Sequence, residues 1–145
     1  MEKPITNYFN ANIEFAGNTL SLANRILDGE QADPENPRPF LGTIYSQYAR
    51  TFTDYRAYFN SPGGNLLAAR LFVGLGIPYG NSRVIPFSKQ FFSGGASSLR
   101  GFQYRSVGPG SYVSDNEGKK LFFDQTGDVK IEANIGIPVP IYKNF

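Results

Sequence analysis

The stretch "LLAARLFVGLGI", residues 66–77, alternates between two kinds of side chain. Its odd-numbered positions, from Leu67 to Ile77, are all apolar, whereas its even-numbered positions include Arg70, Gly74 and Gly76. Successive side chains of a β-strand point to opposite faces, so period-two alternation is typical of a half-buried strand. Soluble strands usually have about 5–6 residues, and a strand that crosses a bilayer needs about 9–11. This stretch therefore predicts a membrane-spanning β-strand.

The same alternation recurs in three other segments, which span residues 5–15, 43–59 and 128–139. Each segment has one mostly apolar face, and its opposite face carries charged or small residues. A wall between lipid and a watery lumen requires this arrangement. The pattern predicts an all-β fold, a fragment of an antiparallel transmembrane β-barrel that occupies residues 1–145. A soluble β-sandwich or a lipocalin-like barrel alternates equally well, and the pattern alone leaves these alternatives open.

The connections between the predicted strands differ greatly in length. Residues 61–65, "SPGGN", predict a tight turn. The other two connections are long: one near residues 20–42, with a short helix predicted from Leu20, Ala23, Ile26 and Leu27, and a loop over residues 79–125. In a meander both long connections fall on the same side of the sheet. Outer-membrane barrels show this asymmetry between short periplasmic turns and long extracellular loops.

The composition argues against several classes of function. The chain has 145 residues with no cysteine and no histidine, and its net charge of +2 is scattered rather than clustered. We therefore expect no metal, no cofactor and no nucleic-acid partner. The carboxylates Asp54 and Glu132 could imitate a glycosidase pair, but nothing in the sequence sets their separation. "GGASSLRG" lacks the ending of a phosphate-binding loop. We expect that the chain is not an enzyme.

The loop over residues 79–125 contains "FFSGGASSLRGFQYRSVGPG", residues 91–110. Its many aromatic residues argue against disorder, because disordered segments contain few of them. A buried loop needs partners for its backbone and for its arginines, and a polar barrel lumen supplies both. We therefore predict that the loop is lumenal.

This segment resembles the signature loop of the BamA/TamA superfamily of outer-membrane assembly barrels, the bacterial surface antigen family. The match centres on a tetrad of a hydrophobic residue, arginine, glycine and an aromatic residue, and glycine-rich flanks extend it. The earlier "SQYARTFTDYRAYFN" and the later "TGDVKIEAN" are also similar to strands of that family. The predicted functional loop motif comprises Gly94, Gly95, Leu99, Arg100, Gly101, Phe102, Arg105, Gly108, Pro109 and Gly110.

The resemblance implies specific roles within the loop. In that family the loop folds back into the barrel, and its tetrad arginine packs against acidic residues of the inner wall. Here the arginine is Arg100. The strand that supplies the main aspartate partner in that family is expected to be missing, so the candidate lumenal partners are Glu132, which lies on the lumenal face by parity, and then Asp128. The resemblance also implies that Gly101 allows a close backbone approach and that Phe102 packs beside the guanidinium of Arg100.

The resemblance further implies a protein of the bacterial outer membrane that inserts or translocates other outer-membrane proteins. Its expected partners are the outer-membrane lipid bilayer, client outer-membrane proteins, and the missing remainder of its own barrel with periplasmic domains. Four strands cannot close a barrel, since single-chain bacterial barrels start at about eight. Two alternatives remain: a related barrel that secretes a soluble partner or is fused to a lipase-like domain, and a soluble β-sandwich that binds a ligand.

Overall fold

The structure, a computed structural model, describes residues 5–29, 33–60, 66–108 and 125–137. Four strands form one antiparallel sheet in the order β1-β4-β5-β6, and two short strands form a separate hairpin, β2-β3. The prediction of an all-β fold is confirmed. The elements are β1 (Ile5–Ala16), helix α1 (Asn18–Asp28), β2 (Pro39–Phe40), β3 (Thr43–Ile44), β4 (Tyr48–Asn60), β5 (Leu66–Pro78), a 3-10 turn (Phe87–Lys89) and β6 (Val129–Gly136).

The predicted second strand, residues 43–59, is wrong at its start. The structure breaks this segment, because Thr43 and Ile44 pair with β2 and the long strand β4 begins at Tyr48. Between them the backbone N–H of Gln47 donates to the hydroxyl of Ser82, so its hydrogen bond goes to a loop rather than to a strand. In the last predicted strand, residues 128–139, strand β6 ends at Gly136, and residues 138–139 lie outside the described residues.

The register of the sheet places residues of the same parity beside one another. Thr53 of β4 pairs with Val73 of β5, which pairs in turn with Ile131 of β6. Even-numbered residues pair with even-numbered ones in the same way, so each parity occupies one face of the whole sheet. We call the odd-numbered side the apolar face and the even-numbered side the polar face. The predicted alternation thus extends across all four strands.

The apolar face is open to its surroundings. Leu71 is 46% exposed and Ile131 is 72% exposed, and within the described residues no second sheet covers them. A soluble sandwich would bury this face in its core, so the exposure favours a lipid-facing wall over that alternative. The large exposed side chains of this face are Ile5, Phe9, Ile13, Phe15, Tyr55, Phe59, Leu67, Leu71, Val73, Leu75, Ile77, Val129, Ile131, Ile135 and Ile137.

Both long connections lie at one rim of the sheet. The end of β1 pairs with the start of β4 through Ala16 and Tyr48, and Tyr48 also pairs with Pro78 at the end of β5. The predicted short helix is present as α1, between β1 and the hairpin. In the described part of the chain, no helix has the length and apolar character needed to span a membrane. The loop that follows β5 therefore starts at this rim, next to the connection between β1 and β4.

Candidate functional site

The structure describes residues 79–108 of the loop, and the first half of this stretch, residues 79–93, packs on the polar face over two glycines. The ring of Phe91 lies on Gly74, where an added Cβ would come within 2.6 Å of ring carbons, and Ile85 fills the space above Gly76 in the same way. Phe91 also exchanges two backbone hydrogen bonds of 2.8 Å with Gly127, just before β6. Glycine in a strand often marks a close approach by another segment, and here that segment is the loop.

The buried Asn81 joins the two long connections at the rim. Its side-chain oxygen accepts from the backbone N–H of Arg38 at 2.7 Å, and its amide nitrogen donates to the carbonyls of Arg38 and Tyr45, each at 3.0 Å. The side-chain oxygen of Gln47 accepts from the backbone N–H of Asn81 at 3.1 Å. Buried polar groups need such partners, so Asn81 holds the start of the loop against residues 38–47.

A first ionic cluster anchors the loop near the rim. The ammonium of Lys89 lies 2.6 Å from the carboxylate of Glu14, which also accepts from the hydroxyl of Tyr48 at 2.9 Å. The hydrogen bond to Glu14 raises the pKa of Lys89, which therefore carries a positive charge at neutral pH. The guanidinium of Arg50, 4.4 Å from the ring centroid of Phe91, completes the contact between sheet and loop.

A second ionic cluster lies midway along the strands on the polar face. Arg56 donates to both carboxylate oxygens of Asp54, at 3.2 and 2.7 Å, and Arg70 donates to the same two oxygens at 3.0 Å each. Both contacts are bidentate, the strongest arrangement of this ion pair. The side chain of Asp54 is only 8% exposed, so its charge is compensated where water is scarce.

Arg70 connects this cluster to the second half of the loop, residues 94–108. It donates to the carboxylate of Glu132 at 3.3 Å and to the carbonyl of Ser97 at 3.0 Å. Glu132 also accepts from the hydroxyl of Ser98 at 2.5 Å and from the ammonium of Lys130 at 2.8 Å. The loop therefore reaches the predicted acidic wall residue Glu132 through Ser98.

The tetrad of residues 99–102 forms a β-turn. The N–H of Phe102 donates to the carbonyl of Leu99 at 3.3 Å, and Gly101, at the third position, has φ = 94°. A type II turn requires a positive φ at this position, which favours glycine. Among the described residues, an atom added at Gly101 would meet nothing within 4 Å, so this part of the structure does not show the expected close backbone approach. Glycine is needed there for its backbone conformation.

The expected pair between Arg100 and Glu132 is not formed. Arg100 is exposed, and its Nε donates to the carbonyl of Ala96 at 3.4 Å. Glu132 already accepts from four other side chains, and Asp128 accepts from the amide of Gln90 at 3.2 Å. Within the described residues, the structure shows no ion pair between Arg100 and a carboxylate.

The cation–π contact that was expected between Phe102 and Arg100 forms instead around Arg105. The guanidinium of Arg105 lies 4.6 Å from the ring centroid of Phe87, 5.3 Å from that of Phe92 and 5.2 Å from that of Tyr104. Phe102 is 59% exposed. The rings around Arg105 come from both halves of the loop, so this arginine links the halves.

The remaining motif residues have simpler surroundings. A side chain at Gly94 would collide with the carbonyl of Gln103, and one at Gly108 would touch the side chain of Gln125. Gly95 donates its N–H to the carbonyl of Phe102 at 3.0 Å and so closes the segment that carries the tetrad. Pro109 and Gly110 lie outside the described residues.

A cavity of about 720 Å³ separates the tetrad from the sheet, and four cationic side chains line it: Arg56, Arg70, Arg100 and Lys130. Within the described residues, no group of three or more histidine, cysteine or acidic side chains is placed to hold a metal ion. Asp54 and Glu132 share Arg70, so this carboxylate pair is neutralised by cations. The geometry suits a structural contact between loop and wall.

Sequence reasoning missed Asp54 and Arg70 as parts of this site. Both have even numbers, as Glu132 does, and this shared parity was a usable signal. Arg70 lies 16 positions from Asp54 and 62 from Glu132, however, so their contacts depend on a register that the alternation does not set.

Comparisons with known proteins identify the family to which the chain belongs. The family model for the Omp85 superfamily domain matches residues 37–143. Over 68 residues the chain is 32% identical to the outer membrane protein assembly factor BamA of Neisseria meningitidis serogroup B. That alignment covers 47% of this chain and 8% of the Neisseria protein, so the chain spans a small part of that relative. No solved structure matches significantly.

Proposed function

Because the chain belongs to the Omp85 superfamily, as a BamA/TamA-type protein of the bacterial outer membrane, we propose that it is part of a barrel that assembles or inserts other outer-membrane proteins. One structural observation carries the proposal. The loop that bears the motif packs on the polar face of a sheet whose opposite face exposes its apolar side chains. A barrel with lipid outside and a loop inside has this arrangement.

The proposed wall consists of the four strands of the main sheet, three of which are long while β6 has 8 residues. Strand β1 has 12 residues and strands β4 and β5 have 13 each, enough to cross a bilayer at the usual tilt. In the bilayer every backbone polar group must be paired, so the outer edges of β1 and β6 need partners. We propose that further strands, beyond residues 1–145, complete the barrel and that residues 1–145 form one part of it.

The proposed role of the loop is to stabilise the interior while presenting its tetrad. Residues 79–93 supply the packing, and the β-turn of residues 99–102 projects Arg100 into the cavity at the polar face. Exposed loop residues held by a rigid scaffold are frequently functional. We propose that Arg100 and the surrounding motif act during client assembly and that the barrel is not an enzyme.

The test compares two exposed arginines of the same loop in the full-length protein. Arg100→Ala removes the tetrad arginine, and the control Arg83→Ala removes an arginine that is paired with Glu35 at the surface. Each variant replaces the wild-type gene, and the folded fraction of several outer-membrane proteins is measured together with the folded amount of the variant itself. We expect Arg100→Ala to lower the folded fraction of the clients at least several-fold, and Arg83→Ala to leave it unchanged.

Two results would contradict the proposal. If both variants support client folding at the wild-type level, the motif has no role in assembly. If client folding is unchanged while a soluble protein is lost from the culture medium, the barrel exports a soluble partner instead. The folded amount of each variant must equal that of the wild type, which separates a functional loss from a loss of the barrel itself.

A further inference from the structure

Helix α1 contacts the rest of the molecule through polar groups. Asn24 is its buried residue and donates from its side chain to the carbonyl of Pro39 at 3.3 Å. At the first turn, the side-chain oxygen of Asn18 accepts from Gln47 at 3.0 Å and from the hydroxyl of Tyr79 at 2.6 Å. A helix on the surface of a soluble protein normally buries its apolar stripe. This helix is oriented the other way.

Most of the apolar stripe of α1 is exposed, and only Leu20 and Ala23 are half-buried among the described residues. At 3.6 residues per turn, its apolar side chains cover an arc of about 160°, while the serine, asparagine and arginine residues occupy the opposite arc. Within the stripe, Leu22 is 60% exposed, Ile26 is 75% exposed and Leu27 is 73% exposed. The stripe consists of Leu20, Leu22, Ala23, Ile26 and Leu27.

The helix starts where the apolar band of the wall ends. The exposed apolar side chains of β1 run from Ile5 to Phe15, and the helix begins three residues later, at Asn18. Ten residues at about 3.3 Å per residue give about 33 Å, and a tilt of about 40° reduces the height to roughly 25 Å. That height equals the apolar band of an outer-membrane barrel. The helix is therefore at the level of the lipid headgroups.

We propose that α1 is an interfacial helix that lies in the headgroup layer of the outer membrane, with its apolar stripe against lipid. Burying the stripe there removes three large apolar side chains from water, in continuity with the lipid-facing side of β1. The exposed Arg25 lies beside the stripe and suits an anionic headgroup. The neighbouring hairpin adds exposed Leu41 and Ile44. This inference rests on the proposed wall and is independent of client assembly.

The test measures the surroundings of single spin labels on the full-length protein in vesicles of phosphatidylethanolamine and phosphatidylglycerol. Cysteine for labelling replaces Ile26 on the stripe, Arg25 on the polar side of the same helix, or Ile131 on the wall. Relaxation by oxygen, which concentrates in lipid, is compared with relaxation by a water-soluble nickel chelate. We expect the oxygen-to-nickel ratio at position 26 to be several-fold higher than at position 25 and close to that at position 131.

Three results would overturn the inference. Equal ratios at positions 25 and 26, both typical of water, would show that the stripe faces solvent. Low accessibility of position 26 to both reagents would show that protein covers the stripe. A water-like ratio at position 131 would refute the wall itself, so the proposed barrel fails with the helix. All three positions are exposed, so the labels should not disturb folding.

Discussion

The two halves of the loop differ in how the sheet holds them. Residues 79–93 bury Asn81, Ile85 and Phe91 against the rim and the polar face. Residues 94–108 reach the wall through the hydrogen bonds of Ser97 and Ser98, while much of the tetrad is exposed. The recognisable motif is therefore in the half that is packed less tightly.

This difference distinguishes the buried residues that hold the loop in position from the exposed residues that are accessible on it. Asn81, Ile85 and Phe91 are buried against the rim and the polar face, and residues of these types are common in such buried positions. Arg100 and Phe102 make few contacts with the described sheet, so local packing does not explain them. A distinctive exposed sequence on a rigid support indicates function more strongly than a packed one does.

The largest expected effect on stability comes from removing a buried side chain of residues 79–93. Phe91→Ala removes a ring that is 6% exposed and leaves a cavity over Gly74. We expect the free energy of unfolding of the full-length barrel to fall by about 3 kcal/mol, measured by urea denaturation in detergent. Trypsin should also cut faster after Lys89. Phe102→Ala, in the exposed half, is the matched control and should change the stability little. Equal losses in the two variants would contradict the comparison.

Breaking the main anchor of the second half should have a smaller effect. Arg70→Met removes the contacts to Asp54, Glu132 and Ser97, but Arg56 and Lys130 still compensate the two carboxylates. We expect a loss of about 2 kcal/mol in the same denaturation experiment, less than when a buried pair loses its sole partner.

The location of the damage distinguishes this variant from a general loss of stability. Trypsin should cut after Arg100 faster than in the wild type, whereas the rate after Lys89 should stay the same. Arg83→Met removes an exposed ion pair and serves as the control, with little expected change. Faster cutting after Lys89 alone would show that Arg70 anchors the other half.

A substitution in the turn of the tetrad tests whether glycine is needed at position 101 for its positive φ angle. Gly101→Ala places a Cβ more than 4 Å from any neighbour among the described residues but strains a residue with φ = 94°, so we expect a local cost of about 1.5 kcal/mol. Hydrogen exchange of the Phe102 amide should report this cost. Gly101→Asn should be less harmful, because asparagine tolerates a positive φ better. A harmless alanine would refute the proposed turn.

The smallest expected effect comes from the hydrogen bond between the loop and the wall that Ser98 donates to Glu132. Ser98→Ala removes one of several hydrogen bonds to Glu132 and should cost about 1 kcal/mol. In double-mutant cycles with Glu132→Gln, Ser98→Ala should show a coupling energy and Arg100→Ala should show none. The reverse pattern would restore the pairing that was first expected from the sequence.

Period-two alternation predicted the strands and their faces well, because each strand obeys it locally. The alternation gave the wrong start for the second strand. Thr43 pairs with the short strand β2, and the N–H of Gln47 donates to Ser82, so the long strand β4 begins only at Tyr48. The site was predicted less completely. The lumenal loop and the acidic wall residue were expected, but the donors to Glu132 are Ser98, Arg70, Lys130 and Asn134 rather than Arg100.

The sequence by itself determined which side chains share a face, since side-chain direction in a strand depends only on parity. It also determined the unequal lengths of the connections between the strands. Only the tertiary structure decided the register that places Asp54, Arg70 and Glu132 together, and the filling of Gly74 and Gly76 by the loop. These contacts join residues far apart in the chain, so they depend on how long loops close and pack, which no local pattern encodes.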